Sequence, residues 1–200
     1  MAKLHFKYGA MNSGKTTMLI QTAHNYEERN QKVIVIKASV DTKGSDTIVN
    51  RIGLSRKVDE LIKPDDKVIT KVKKYLNDIN CLIVDEVQFF SRSQIDELFY
   101  IAKVFDIPVI TYGLRNNFKS VAFTGSSRLL EIADSMEEIP TICDCGKKAR
   151  FNVRNLNGKY LSEGDDVLID GTSDIVYISL CGQCYCKKVL GLNKDSLLTK

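Results

Sequence analysis

The chain has 200 residues, 29 basic against 25 acidic, for a formal net charge of +4, and an ordinary share of hydrophobic residues. That length suits one sizeable domain, or a core domain with a small appendage, and the composition excludes disorder as the default. The mild positive charge suits a small anionic ligand and lacks the basic excess of a nucleic-acid binder. No apolar run approaches the roughly 20 residues that span a bilayer, and the opening "MAKLHFKYGA" lacks the apolar core of a signal peptide. A cytoplasmic protein with no membrane partner is therefore expected. Five of the six cysteines fall in the last third of the chain, which in a reducing compartment points to metal binding rather than disulfides.

In chain order, "KLHFKY" at 3–8 alternates as a strand should, and "VIVIKA" at 33–38 is a β-branched run fit for a buried strand. "CLIV" at 81–84 and "PVITYG" at 108–113 read the same way. Helices are predicted near 15–29, 70–78, 91–105 and 126–134. Ser91, with Gln94 three residues on, forms a capping-box signal. Strands alternating with helices predict an α/β fold with a mostly parallel sheet flanked by helices. After Pro140, cysteine pairs and turn-rich stretches punctuate short strand-like runs such as "ARFNVRNL" and "VYISL". The expected organisation is residues 1–139 as a nucleotide-binding domain and 140–200 as a small metal-held module.

"GAMNSGKT", comprising Gly9, Ala10, Met11, Asn12, Ser13, Gly14, Lys15 and Thr16, satisfies G-x-x-x-x-G-K-[ST] in full, between a strand and a helix. A loop of this kind turns backbone N–H groups around phosphate oxygens, and the following helix adds its positive end. Lys15 would neutralise the β and γ phosphates of a bound NTP, and the Thr16 hydroxyl would ligate Mg²⁺. Asp85, ending the apolar run "CLIVD" on a neighbouring buried strand, is the expected acid on the Mg²⁺ side. The adjacent Glu86 fits a general base, but a D-E pair alone does not separate a kinase from a hydrolase that activates water.

Taken together, "YGAMNSGKTT", "VDEVQFF", "YGLRNNF", "ICDCGKKA" and "VYISLCGQC" follow the order and approximate spacing of the type II thymidine kinase family, which the chain resembles from Lys3 to about Leu190. The resemblance implies a P-loop kinase fold in which Glu86 is the catalytic base toward the 5′-hydroxyl of the nucleoside and Gln88 belongs to the nucleotide-binding stretch. It places Met11, Phe89, Leu114, Phe118 and Phe123 on the nucleoside side, and leaves Phe90 to the core. It also implies a substrate-covering lasso at Asp166, Val167, Leu168, Ile169 and Asp170, with Tyr177 beyond it. The sequence departs from the family pattern there, with Asp170-Gly171 where Gly-Gly is frequent and a longer spacing to Tyr177. Lys43 likewise stands where Arg is usual, keeping the charge without the planar fork.

By the same resemblance Cys143, Cys145, Cys181 and Cys184 are the ligands of a structural Zn²⁺, with Cys186 as a rival two residues on. Four protein ligands leave zinc no open position for catalysis. The implied activity is transfer of the γ-phosphate of ATP to thymidine and deoxyuridine in DNA-precursor salvage. Mg²⁺ would act with ATP, in a homotetramer inhibited by dTTP and with no nucleic-acid partner. The alternative is a P-loop ATPase whose zinc ribbon grips nucleic acid. The acidic "EGDD" and "DGTSD" beside the basic "CGKKARFNVR" would repel a phosphate backbone.

Overall fold

The computed structural model describes residues 1–39, 46–161 and 175–198. Lys43 and the expected lasso Asp166–Asp170 lie outside the described residues. The chain packs as two compact units.

The first unit comprises Met1–Tyr8, Gly14–Arg115 and Phe123–Glu138. Its strands are β1 (Leu4–Tyr8), β2 (Val33–Ala38), β3 (Thr47–Val49), β4 (Ser55–Lys57), β5 (Glu60–Ile62), β6 (Cys81–Asp85), β7 (Val109–Gly113) and β8 (Ser135–Glu138). Its helices are α1 (Lys15–Glu27), α2 (Val68–Val72), α3 (Arg92–Val104) and α4 (Thr124–Ile132). Six strands form one sheet in the order β5-β2-β6-β7-β1-β8, every pairing parallel. All residues of β2, β6 and β7 are buried, as expected where both faces of a parallel sheet are covered. Helix α1 packs on β2, β6 and β7, while α3 packs on β1, β7, α2 and α4.

The capping box at Ser91 forms: its side chain accepts from the Gln94 N–H, and the Gln94 side chain accepts from the Ser91 N–H. The predicted helix at 70–78 is shorter and earlier, Val68–Val72. Strand β8, "SMEE", has no apolar run to announce it, because it is an edge strand paired only to β1. A further difference concerns Asp85. Its strand β6 does not adjoin β1; β7 lies between them, so the acid stands two strand spacings, roughly 10 Å, from the strand that feeds the phosphate loop.

The second unit comprises Gly9–Ser13, Asn116–Ala122 and Ile139–Lys200. It contains β9 (Thr141–Ile142), β10 (Lys148–Ala149), β11 (Phe151–Leu156), β12 (Lys159–Leu161), β13 (Ile175–Leu180), α5 (Gly182–Lys188) and α6 (Lys194–Leu198). Strands β12, β11 and β13 form an antiparallel sheet in that order. A small core of Cys143, Ala149, Val153, Leu180, Cys181 and Tyr185 lies beneath it, with Phe151 stacked on Tyr185 at 4.5 Å between centroids.

Candidate active site

In the first unit, Gly14 has φ 81°, a left-handed conformation that costs other residues more, and it supplies no side chain to cap α1. The helix therefore begins at Lys15 with its dipole unscreened by a capping side chain. Desolvation lowers the Lys15 ammonium from its ordinary value, while the negative charges of Glu86 and Asp85 push it back up. Thr16 follows in the first turn.

Asp85 ends β6, buried, in register with the buried Lys37 of β2. Burial raises its carboxyl to about 8, reinforced by the charge of Glu86 and opposed by a backbone hydrogen bond, Lys37 and Lys15. A buried carboxylate under this pressure is relieved by a cation, which is the chemistry a Mg²⁺ site needs. Glu86 then leaves the strand with φ 50°, in the left-handed region. This turn explains how adjacent acids serve different directions: Asp85 keeps the strand conformation, and Glu86 does not.

Gln88, in the 3₁₀ turn Val87–Phe89, is buried and committed at both ends. Its Nε2 donates to Glu86 Oε2 at 2.5 Å, and its Oε1 accepts from the Leu114 N–H at 3.1 Å. A Cβ on Gly113 would stand 2.6 Å from Gln88 Oε1 and 2.9 Å from Val87 Cγ1, so a side chain there would push on the residue that holds Glu86. The Leu114 carbonyl accepts from Ser126 Oγ at 2.5 Å, so both sides of this residue's backbone are fixed. Phe89 meets Phe123 edge-to-face at 5.7 Å, while Phe90 is fully buried in the core.

In the second unit, residues Gly9–Ser13 are held by the C-terminal strands. The Met11 N–H donates to Asn152 Oδ1 at 2.7 Å, Ser179 Oγ donates to the Met11 carbonyl at 2.6 Å, and Thr141 Oγ1 donates to the Asn12 carbonyl at 3.2 Å. Phe118 is buried, and the guanidinium carbon of Arg154 lies 3.9 Å from its ring centroid. The Tyr177 hydroxyl accepts from Arg154 Nε at 3.0 Å and Nη2 at 2.7 Å. Sequence reasoning named Met11, Phe118 and Tyr177 but missed Asn152, Arg154 and Ser179. In the sequence Asn152 and Arg154 belong to the basic run "CGKKARFNVR" and Ser179 to the strand-like "VYISL", and neither run announces that Asn152 and Arg154 are buried.

Cys143, Cys145, Cys181 and Cys184 bring their sulfur atoms within 4.8 Å of one another. Tetrahedral Zn²⁺ at about 2.3 Å from each thiolate has S···S edges of roughly 3.8 Å, so the cluster fits zinc. Burial works against the Cys143 thiolate, yet backbone hydrogen bonds from Cys145 and Cys181 bring the thiol down to about 7. The Cys181 sulfur accepts from the Cys184 N–H at 3.4 Å at the start of α5. Cys186 is exposed and outside this group, and Cys81 is a buried strand residue.

A thymidine kinase family model matches residues 2–185. A thymidine kinase of Francisella tularensis subsp. tularensis (strain SCHU S4) is 40% identical over 188 residues, spanning 90% of this chain and 95% of that relative. One of Streptococcus gordonii (strain Challis) is 38% identical over 189 residues, spanning 94% of this chain and 97% of the other. Among solved structures, AMPPCP-bound DnaA from Aquifex aeolicus aligns with 21% identity and a TM-score of 0.42 over 70% of this chain and 40% of that one, too loose a fit to carry an argument. A match from residue 2 to 185, with relatives at about 40% identity over nine tenths of its length, means that the chain belongs to the thymidine kinase family.

Proposed function

We propose that the protein transfers the γ-phosphate of ATP to the 5′-hydroxyl of thymidine, and of deoxyuridine more weakly. The observation that carries this reading is Glu86: a carboxylate turned out of the strand beside the buried Asp85, and held by Gln88. In this reading Gly9–Thr16 cradles the triphosphate, Lys15 offsets its charge, and Thr16 and Asp85 hold Mg²⁺. Glu86 takes the 5′-hydroxyl proton as the oxygen attacks the γ-phosphorus. On the family resemblance, Met11, Phe89, Leu114, Phe118, Phe123 and Tyr177 are assigned to the nucleoside, and Asp166–Asp170 to the lasso that covers the base in that family. One methyl group is worth about 1–3 kcal/mol, so deoxyuridine is disfavoured rather than rejected.

A homotetramer, inhibition by dTTP and a cytoplasmic place in DNA-precursor salvage are proposed with it on the family resemblance. No helix among the described residues is long and apolar enough to cross a membrane. The test is ADP release from Mg-ATP with and without a nucleoside panel. Release that requires thymidine is expected. Turnover indifferent to thymidine, or stimulated by single-stranded DNA, would replace the kinase with a nucleic-acid-dependent ATPase.

Gln88→Met removes the hydrogen bonds to Glu86 and Leu114 at similar volume. It is expected to lower kcat by roughly tenfold, the scale of one hydrogen bond to a charged group, while the KM for ATP moves less than about twofold. Steady-state kinetics in both substrates checks this. A rise confined to the KM for ATP would make Gln88 a direct nucleotide contact.

A further inference from the structure

Phe151–Arg154 alternates apolar and polar side chains, yet this part of β11 is covered on both faces. Asn152 is 3% exposed, Val153 0% and Arg154 1%. Cα partners on an antiparallel ladder share a face, and so do residues two apart on one strand. Asn152 stands opposite Ser179, and Arg154 opposite Tyr177, so these four polar side chains share one face, on which Asn152 and Arg154 are buried and Tyr177 and Ser179 half-buried. The patch belongs to the same compact unit as Gly9–Ser13 and Asn116–Ala122.

The hydrogen bonds leaving this patch are specific. Asn152 Oδ1 accepts from the Met11 N–H at 2.7 Å, and its Nδ2 donates to the Asn116 carbonyl at 2.9 Å. Ser179 Oγ takes the other side of the same residue, donating to the Met11 carbonyl at 2.6 Å. One side-chain amide thus ties together two loops that lie far apart in sequence, and a hydroxyl on the partner strand clamps the first of them. The next residue, Asn12, has φ 62°. A loop turned this sharply keeps its course only where the surrounding structure over-determines it.

We propose that Asn152 and Ser179 are positioning residues of the phosphate loop. They hold Met11 so that the following N–H groups converge before ATP arrives, and Asn152 fixes the spacing from Met11 to the nucleoside-side loop at Asn116. This rests on reading Gly9–Thr16 as the ATP cradle and Asn116–Ala122 as part of the thymidine side. Neither residue needs to touch a substrate. Their contribution is that the cradle is preorganised instead of being ordered at the expense of binding.

The two arms of Asn152 and the single arm of Ser179 make the effects separable. Ser179→Ala releases only the Met11 carbonyl. It is expected to raise the KM for ATP, and the Kd for a non-hydrolysable ATP analogue, by about five- to tenfold, with the KM for thymidine within about twofold. Ser179→Thr keeps the hydroxyl and restores the ATP values. Asn152→Asp keeps the acceptor for Met11 and loses the donor to Asn116, so the thymidine KM rises more than the ATP KM. Asn152→Leu removes both arms and raises both.

Calorimetric titration of the analogue, steady-state kinetics and thermal melting on the full-length protein read these outcomes. A lowered melting temperature with both ATP values at wild type in Ser179→Ala would overturn the inference, as would a proportional rise for both substrates. If the Asn152 variants do not fold, the Ser179→Ala and Ser179→Thr pair decides it. Wild-type protein that binds the analogue but does not phosphorylate thymidine would sink the kinase reading alone. The Ser179 binding comparison would then still decide for or against the anchored loop.

Discussion

Replacing Glu86 by glutamine is expected to lower kcat for thymidine phosphorylation by about 10²–10⁴-fold, with the KM for ATP nearly unchanged. The substitution preserves volume and an oxygen for the Gln88 Nε2, now 2.5 Å from Oε2, but removes the proton acceptor. Glu86→Asp, which draws the carboxylate back by one methylene, should fall between the two. A second signature follows from the backbone. A non-glycine residue at φ 50° carries strain of about 1–3 kcal/mol. Glu86→Gly should therefore lose turnover while its melting temperature stays level or rises. Loss of activity together with a large drop in melting temperature would instead mark Glu86 as structural. Steady-state ADP release and a melting curve on the same preparation distinguish the two.

Breaking the cysteine cluster is expected to have the largest effect on stability. The second unit's own core is small, centred on Val153, Leu180 and Tyr185 with two of the cysteines. Structural zinc contributes about 10–16 kcal/mol of apparent binding free energy in small peptides, comparable with the whole stability of an ordinary domain. Cys181→Ser, or removal of the metal by a strong chelator, should unfold this unit and abolish thymidine phosphorylation. Cys186→Ser, at an exposed position outside the cluster, should change stability by no more than about 0.5 kcal/mol. Metal analysis should find one zinc per chain, lost in Cys181→Ser and retained in Cys186→Ser. Full zinc content in Cys181→Ser would rule out the assigned ligand set.

Much of the sheet was legible because its central strands, buried on both faces, are written as unbroken apolar runs: "VIVIKA", "CLIV" and "VITYG". The phosphate loop and the capping box were legible because each is a local pattern with a local mechanism. The edge strands β5 and β8 were not, since an edge needs little apolar surface and three or four residues carry no period. The position of β7 between β1 and β6 was equally hidden, because strand order follows from packing and not from succession.

Within the site, Gln88 was seen as part of a motif but its two partners were not, as Leu114 lies 26 residues away. The polar patch on β11 and β13 was missed for a sharper reason. Alternation normally means one dry face and one wet one, whereas here Asn152 and Arg154 on the polar face are buried as well, Asn152 paired with loop backbone and Arg154 with Tyr177. From a sequence the two cases look alike.

The hydrogen bonds that hold Met11 reach across 141 residues to Asn152 and 168 residues to Ser179. Contacts of such separation close late, after the local ones have formed. Since a chain leaves the ribosome from its N-terminus, strand β1 and the glycine-bearing loop emerge well before the residues that complete them. A nascent chain that has exposed the full G-x-x-x-x-G-K-T sequence still lacks the side chains that seat it until Ser179 has emerged. Full affinity for nucleotide should accordingly arrive only once Ser179 has emerged, in step with Cys181 and Cys184, and chains stalled before that point should bind ATP more weakly.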